Sequence, residues 1–204
     1  MTFDDKVRLR TKEELSAQNE GLILIKNILD KIEVKYYLSS GTLLGAVRDK
    51  DFIPWDWDVQ MYLIMENAYP LRNKISESFK KNDFIIHKFN DNNDSLKWDI
   101  RKKGVIFELT GWYLKGKWRY RKKESMRVPS YLFDGEYKIN FKGVTYRTFN
   151  PPEEYLKFCY GDWKTPIRST KKNIYSNSNH LRKFTLINKI KIFLAKVFKK
   201  ISKY

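Results

Sequence analysis

Apolar residues at Leu15, Leu22, Ile25, Ile28 and Leu29 recur at steps of three, four and seven through residues 11–31, the spacing that puts them on one face of a helix. Thr11, with Glu14 three residues on, has the form of a capping box and marks the start. Residues 34–38 are β-branched and aromatic and run into Ser39-Ser40-Gly41, so they predict a strand that ends in a turn. A short helix over 42–48 follows, then a loop over 49–55 containing Pro54. Residues 59–64 predict a second strand, and residues 66–81 a helix with Pro70 near its start. Strands are expected over 84–89, 95–102 and 105–110, with turns at 90–94 and at Lys103-Gly104. The basic, aromatic stretch 111–129 reads as a loop or excursion over the active face. Residues 137–141 and 144–149 flank Lys142-Gly143 as a hairpin, and Pro151-Pro152-Glu153 opens a last short helix to Tyr160. Helices interleaved with strands and hairpins predict an α+β domain around one mixed sheet.

Beyond residue 166 the pattern changes. Residues 167–182 are rich in Ser, Asn and Lys and predict a linker. From there Phe184, Ile187, Ile190, Leu194, Val197, Phe198 and Ile201 recur at helical steps with lysines between them, which predicts a C-terminal cationic amphipathic helix within 183–204. A catalytic domain over 1–166, a linker and a tail helix are the expected units.

Charge sharpens this division. The 204 residues carry 41 Lys+Arg against 24 Asp+Glu, a formal net charge of +17. The last acid is Asp162, so residues 1–162 are only +5 while 163–204 carry +12 and no acid. A domain near charge balance with no nucleic-acid motif makes a nucleic-acid partner unlikely. The acid-free tail suits an anionic membrane surface met by residues 183–203, the alternative being a terminal helix packed on the domain. With 42% hydrophobic and 16% aromatic residues the chain can build a core. Cys159 is the single cysteine and forms no internal disulfide. Residues 1–6 lack the basic start and apolar run of a signal peptide, and no uncharged stretch is long enough to span a bilayer. The expected place is the cytoplasm, at the inner face of the membrane.

Chemistry concentrates in residues 37–61, YLSSGTLLGAVRDKDFIPWDWDVQM. The turn Ser40-Gly41-Thr42 at a helix start offers backbone N–H groups and the positive helix end, which favour phosphate. Asp56 and Asp58, two residues apart at the entry to a strand, offer hard oxygen ligands for Mg²⁺. Together they describe a site for a nucleotide-linked phosphate and its metal.

Two motifs in this chain resemble those of the LicD/fukutin family. One stands as Gly41-Thr42-Leu43-Leu44-Gly45-Ala46-Val47-Arg48 with Ile53-Pro54-Trp55-Asp56-Trp57-Asp58, the other as Pro151-Pro152-Glu153-Glu154-Tyr155-Leu156 with Tyr160-Gly161-Asp162-Trp163-Lys164-Thr165-Pro166. The resemblance spans about residues 34–166. It implies a nucleotidyltransferase-like mixed sheet flanked by helices, and metal-dependent transfer of a phosphorylated alcohol, such as phosphocholine or ribitol phosphate. The implied donor is a CDP-linked alcohol, and the implied acceptor a hydroxyl of a glycan or lipid-linked glycan. It further implies Asp56, Asp58 and Glu108 as catalytic carboxylates holding Mg²⁺ (or Mn²⁺), with Ser40, Gly41, Thr42, Arg48, Lys50 and Trp55 on the substrate. Glu108 stands where relatives usually have Asp. The chain departs from the family at Gln60, where an acid is usual, so either Asp56, Asp58 and Glu108 suffice, or this copy is impaired or uses a different metal arrangement. Nucleotidyl transfer from an NTP would need the same residues and is the alternative reaction.

Overall fold

The structure is a computed structural model that describes residues 2–3, 6–92, 95–121 and 124–169. From residue 170 on, the expected linker and tail helix lie outside the described residues. The elements in chain order are β1 (Thr2–Phe3), α1 (Lys12–Ile32), β2 (Tyr36–Leu38), α2 (Ser40–Arg48), β3 (Asp58–Ile64), α3 (Met65–Ala68), α4 (Arg72–Lys81) and β4 (Ile85–Asn92). They continue with β5 (Ser95–Lys102), β6 (Val105–Lys115), β7 (Trp118–Arg121), β8 (Met126–Pro129), a 3₁₀ turn (Ser130–Phe133), β9 (Tyr137–Phe141), β10 (Val144–Thr148), α5 (Pro152–Tyr160) and β11 (Ile167–Arg168).

Thr11 caps α1 as expected: its hydroxyl accepts from the Glu14 N–H at 3.3 Å and the Thr11 N–H donates to Glu14 Oε2 at 2.7 Å. The main sheet runs in the order β2-β3-β6-β5-β4. β3 and β6 are parallel and the other pairs antiparallel, which makes the sheet mixed. Side chains alternate across it. Val59, Met61, Phe107, Leu109, Leu96, Trp98 and Ile100 are buried on one face, where Gly21 of α1 lies against the Phe107 ring and Trp98 Nε1 donates to Ser76 of α4 at 2.8 Å. Fully burying side chains of this size contributes about 2–3 kcal/mol each. Asp58, Gln60, Glu108, Lys97 and Asp99 stand on the opposite face, and register pairs Gln60 with Glu108 and Asp99 with Glu108.

Three expectations change. Residues 66–81 are not one helix, because Tyr69-Pro70-Leu71 separates α3 from α4; proline has no N–H to continue the ladder. The excursion over 111–129 is mostly strand: β6 runs on to Lys115, and β7 and β8 pair behind it. Its basic residues are largely spent internally, since Arg119 pairs with Glu66 at 2.8 Å and Arg121 with Glu108 at 3.4 Å, while Trp112 is buried. Ile167 and Arg168, placed in the linker by composition, pair in parallel with Thr2 and Phe3. No helix among the described residues is long and apolar enough to cross a membrane.

Candidate active site

α2 begins directly where β2 ends, and this turn is tightly specified. Ser40 takes a left-handed backbone, φ 51°, which costs a non-glycine residue about 1 kcal/mol or more and persists where surrounding contacts enforce it. Its N–H donates to the Tyr155 hydroxyl at 3.2 Å, and its own hydroxyl lies 3.3 Å from that of Tyr62. The Gly41 N–H donates to Gln60 Oε1 at 3.3 Å, and the Gln60 N–H donates to Thr42 Oγ1 at 2.8 Å. A Cβ on Gly41 would overlap the Asp56 carboxylate, so only glycine lets the turn and the acid come this close.

The expected turn at the start of α2 is present, but two of its N–H groups are already in use. Tyr155 holds one from a fully buried position, its ring stacked on Phe149 at a centroid distance of 3.7 Å. Tyr155→Phe should lower the unfolding free energy by about 1–2 kcal/mol in urea titration, because the Ser40 N–H loses its partner. An unchanged midpoint would show that the hydroxyl contributes nothing there.

Asp56 and Asp58 stand side by side at the entry to β3. Burial, the neighbouring Asp58 charge and a hydrogen bond to Asp58 push the Asp56 carboxyl up to about 8. Asp58 is raised by burial and by Glu108, and is partly relieved by the hydrogen bond from Asp56. Both carboxyls are thus raised, and the pair resists carrying two negative charges. Burial would also raise Glu108, but the Lys97 ammonium at 2.6 Å, with Arg121 at 3.4 Å, keeps it below the usual carboxylate range. Lys97 is shared with Asp99 at 3.0 Å.

Asp58 thus faces Asp56 on one side and feels Glu108 on the other. Asp56 and Asp58 offer a divalent cation two hard oxygen donors, and a cation there would relieve the burial and repulsion that Arg10 and Lys97 offset only in part. Glu108 is held by cations of the protein, and among the described residues no three His, Cys, Asp or Glu side chains are grouped to hold one ion.

The acid pair lines a cleft of about 600 Å³ that also touches Gly41, Arg48, Trp55, Gln60 and Trp163. Its wall is tied by Trp55 Nε1, which donates to the Ile167 carbonyl at 2.9 Å, and by Arg48, which forks onto Asp49 at 2.7 Å and reaches the Trp163 carbonyl at 3.4 Å. Of the other expected substrate residues, Ser40 and Thr42 serve the turn by the bonds above. Lys50 is exposed in a left-handed turn, φ 56°, and is not part of the cleft lining. Arg10 was not anticipated from sequence: nearly buried, it donates from Nε to the Asp56 carbonyl at 2.6 Å. Arg8 and Arg10 lie 5.0 and 4.8 Å from the ring centre of Trp57, which is 42% exposed at the rim. No local motif announces Arg10, because it reaches the site from 46 residues away.

Comparison with known proteins bears on this arrangement. Residues 33–151 match the family profile described as LicD/FKTN/FKRP, nucleotidyltransferase domain. The chain is similar to the ribitol 5-phosphate transferase FKRP of Mus musculus, 25% identical over 161 residues that make up 72% of this chain and 32% of that protein. It is similar also to the lipopolysaccharide cholinephosphotransferase LicD of Haemophilus influenzae, 38% identical over 58 residues, 25% of this chain and 22% of that one. The chain thus spans about a third or less of these relatives' lengths. Among solved structures, the lincosamide antibiotic adenylyltransferase LnuA superposes with a TM-score of 0.48 at 13% identity, covering 74% of this chain and 87% of that one.

Proposed function

The chain belongs to the LicD/FKTN/FKRP nucleotidyltransferase-domain family, and on that premise we propose that it transfers a phosphorylated alcohol from a CDP-linked donor to a glycan hydroxyl. The observation that supports this reading is the close approach of the Asp56 carboxylate to Gly41, where a Cβ would overlap it, with the start of α2 and the pair of acids lining one cleft. The transferred groups named for the relatives, ribitol 5-phosphate and phosphocholine, are the first candidates.

In this reading the donor diphosphate lies on the α2 turn. Gln60 Oε1 occupies the Gly41 N–H as a neutral stand-in, and rotation of its amide frees that donor for a phosphate oxygen. Arg48 and Arg8 line the cleft, where Arg48 is paired with Asp49 and Arg8 with Glu14, and each would serve a phosphate by exchanging that partner. Asp58 accepts the proton of the acceptor hydroxyl as that oxygen attacks the donor phosphorus, and CMP departs. Mg²⁺ or Mn²⁺ on Asp56 and Asp58, with Glu108 joining if it leaves Lys97, would supply charge neutralisation for the phosphate oxygens. Trp57, flanked by two arginines at the rim, suits a flat donor base.

The test is incubation with CDP-ribitol, CDP-choline and a wider CDP-alcohol panel in Mg²⁺ or Mn²⁺, reading CMP release on a hydroxyl-bearing glycan. Pyrophosphate released from an NTP, with no CMP from any donor, would instead favour nucleotidyl transfer.

We propose also that residues 183–203 hold the protein on anionic membrane, from their sequence pattern and the +12 charge of 163–204. The full chain should co-sediment with phosphatidylglycerol-containing vesicles at low salt, and removal of 178–204 should lower binding at least tenfold. Equal binding by the two chains refutes the tail's role.

A further inference from the structure

On the polar face of the main sheet, strand register divides the charged residues. In the pairing of β3 with β6, Asp58 lies level with Ile106 and Gln60 level with Glu108, so the position facing Glu108 across the strands carries a neutral amide. That amide is turned to the start of α2, where its Oε1 accepts from the Gly41 N–H. Asp56, Asp58 and Gln60 line the cleft, whereas Lys97, Asp99, Glu108 and Arg121 are not part of its lining.

Both oxygens of Glu108 are taken by the protein. Lys97 Nζ donates to Oε2 at 2.6 Å, and Thr110 Oγ1 and Arg121 reach Oε1 at 3.3 and 3.4 Å. Lys97 also meets Asp99 at 3.0 Å, so the acids Glu108 and Asp99 are matched by the cations Lys97 and Arg121 in a sheltered patch of the sheet. Arg121 is fixed there, with Nε on Met126 Sδ at 3.0 Å and its guanidinium 5.7 Å from the ring centre of Trp112. Drawing Glu108 onto a metal ion would leave both cations to Asp99 alone, and uncompensated charge in a sheltered place is costly. No such matched set surrounds Asp56 and Asp58, whose burial and repulsion are offset only in part.

Given the cation assigned above to Asp56 and Asp58, on which this step rests, we propose that Lys97 is a built-in cation of the active site. It keeps Glu108 as its own counter-ion, and the protein takes one divalent cation, on Asp56 and Asp58, without Glu108 as a ligand. Lys97 is thus a positioning residue, setting which acids are free to bind metal.

Titration of the full chain with Mn²⁺ alone, counted by electron paramagnetic resonance with no donor or acceptor present, tests this. The wild type should bind one Mn²⁺ saturably, and Asp58→Asn should lose it. Glu108→Gln should still bind one ion, weakened less than about fivefold, because it removes a charge that does not touch the ion. Lys97→Met should bind Mn²⁺ at least about tenfold more tightly, since Glu108 is released to add its charge to the ligand set. Adding Glu108→Gln to Lys97→Met should remove most of that gain. A Lys97 with a purely structural role would lower Tm in Lys97→Met and leave Mn²⁺ affinity as it is. If Lys97→Met does not fold, Glu108→Gln decides alone. The proposal is overturned by no Mn²⁺ or two Mn²⁺ on the wild type, by Glu108→Gln losing as much affinity as Asp58→Asn, by unchanged affinity in folded Lys97→Met, or by a gain that survives in the double variant. Since none of these readings needs turnover, a missing CMP signal with the affinities as expected refutes phosphotransfer and leaves the role of Lys97 standing.

Discussion

Asp58→Asn should reduce CMP release by at least about 10³-fold while leaving the protein folded. Asp58 is proposed both to accept the acceptor proton and to help hold the cation, and loss of a proton acceptor alone is worth about 10²–10⁴ in rate. The substitution is nearly isosteric and takes away one member of a like-charged pair. Asp56, with its carboxyl pushed up to about 8 by burial and by Asp58, reports the cost of that pairing. A carboxyl raised in the folded state has its greatest benefit below the pH at which the unfolded chain's acid titrates. That benefit is lost as pH rises toward 8, where the metal-free pair must ionise. In the absence of divalent ions the wild type should therefore lose stability between about pH 4 and 8. Asp58→Asn and Asp56→Asn should each gain about 1–2 kcal/mol over it at pH 8. Added Mg²⁺ or Mn²⁺ should stabilise the wild type increasingly with pH and have little effect on either variant. Equal CMP release from the Asp58 variant would falsify its role, and destabilisation at pH 8 would show that the pair is compensated.

Gly21→Ala should destabilise the fold by about 2–3 kcal/mol, against the direction of helix propensity. In an exposed helix interior the exchange gains about 1 kcal/mol. Gly21, however, is buried in mid-α1, and its new methyl would overlap the end of the Phe107 ring. Phe107 is 1% exposed and packs edge-to-face on Phe84 at 5.7 Å, so it has little room to retreat. The added carbon must lift α1 off the sheet or force the ring off its rotamer, and overpacking of this kind costs about 1–3 kcal/mol or more. Thermal unfolding would show it as a drop in Tm of several degrees. A rise in Tm would mean that α1 slides along the sheet without penalty.

Much of the fold could be read along the chain because its signals are local. The α1 cap is set by Thr11 and Glu14, three residues apart, and β5 by the alternation of Leu96, Trp98 and Ile100 with Lys97 and Asp99. Errors fell where local pattern and pairing compete. In 111–129, aromatic and basic residues without clean alternation looked like a loop, yet β6 carries on through them because β7 supplies a partner ladder. At Pro70 the helical period continued across a residue that could not carry it.

The candidate site divides in the same way. Glycine at 41, the aspartates at 56 and 58 and the missing acid at 60 are written in one segment of 25 residues, so the chemistry they permit was legible without coordinates. The charge state of that chemistry was not. Lys97, Arg121, Arg10 and Tyr155 reach the site from separate elements, and a pairing such as Lys97 with Glu108 depends on which strands lie side by side. Local sequence determined which atoms this protein can offer, since spacing along one chain sets the turn and the strand face. Only the tertiary structure decided which of them are already neutralised or hydrogen-bonded, because Coulomb and hydrogen-bond energies depend on distance in space rather than along the chain.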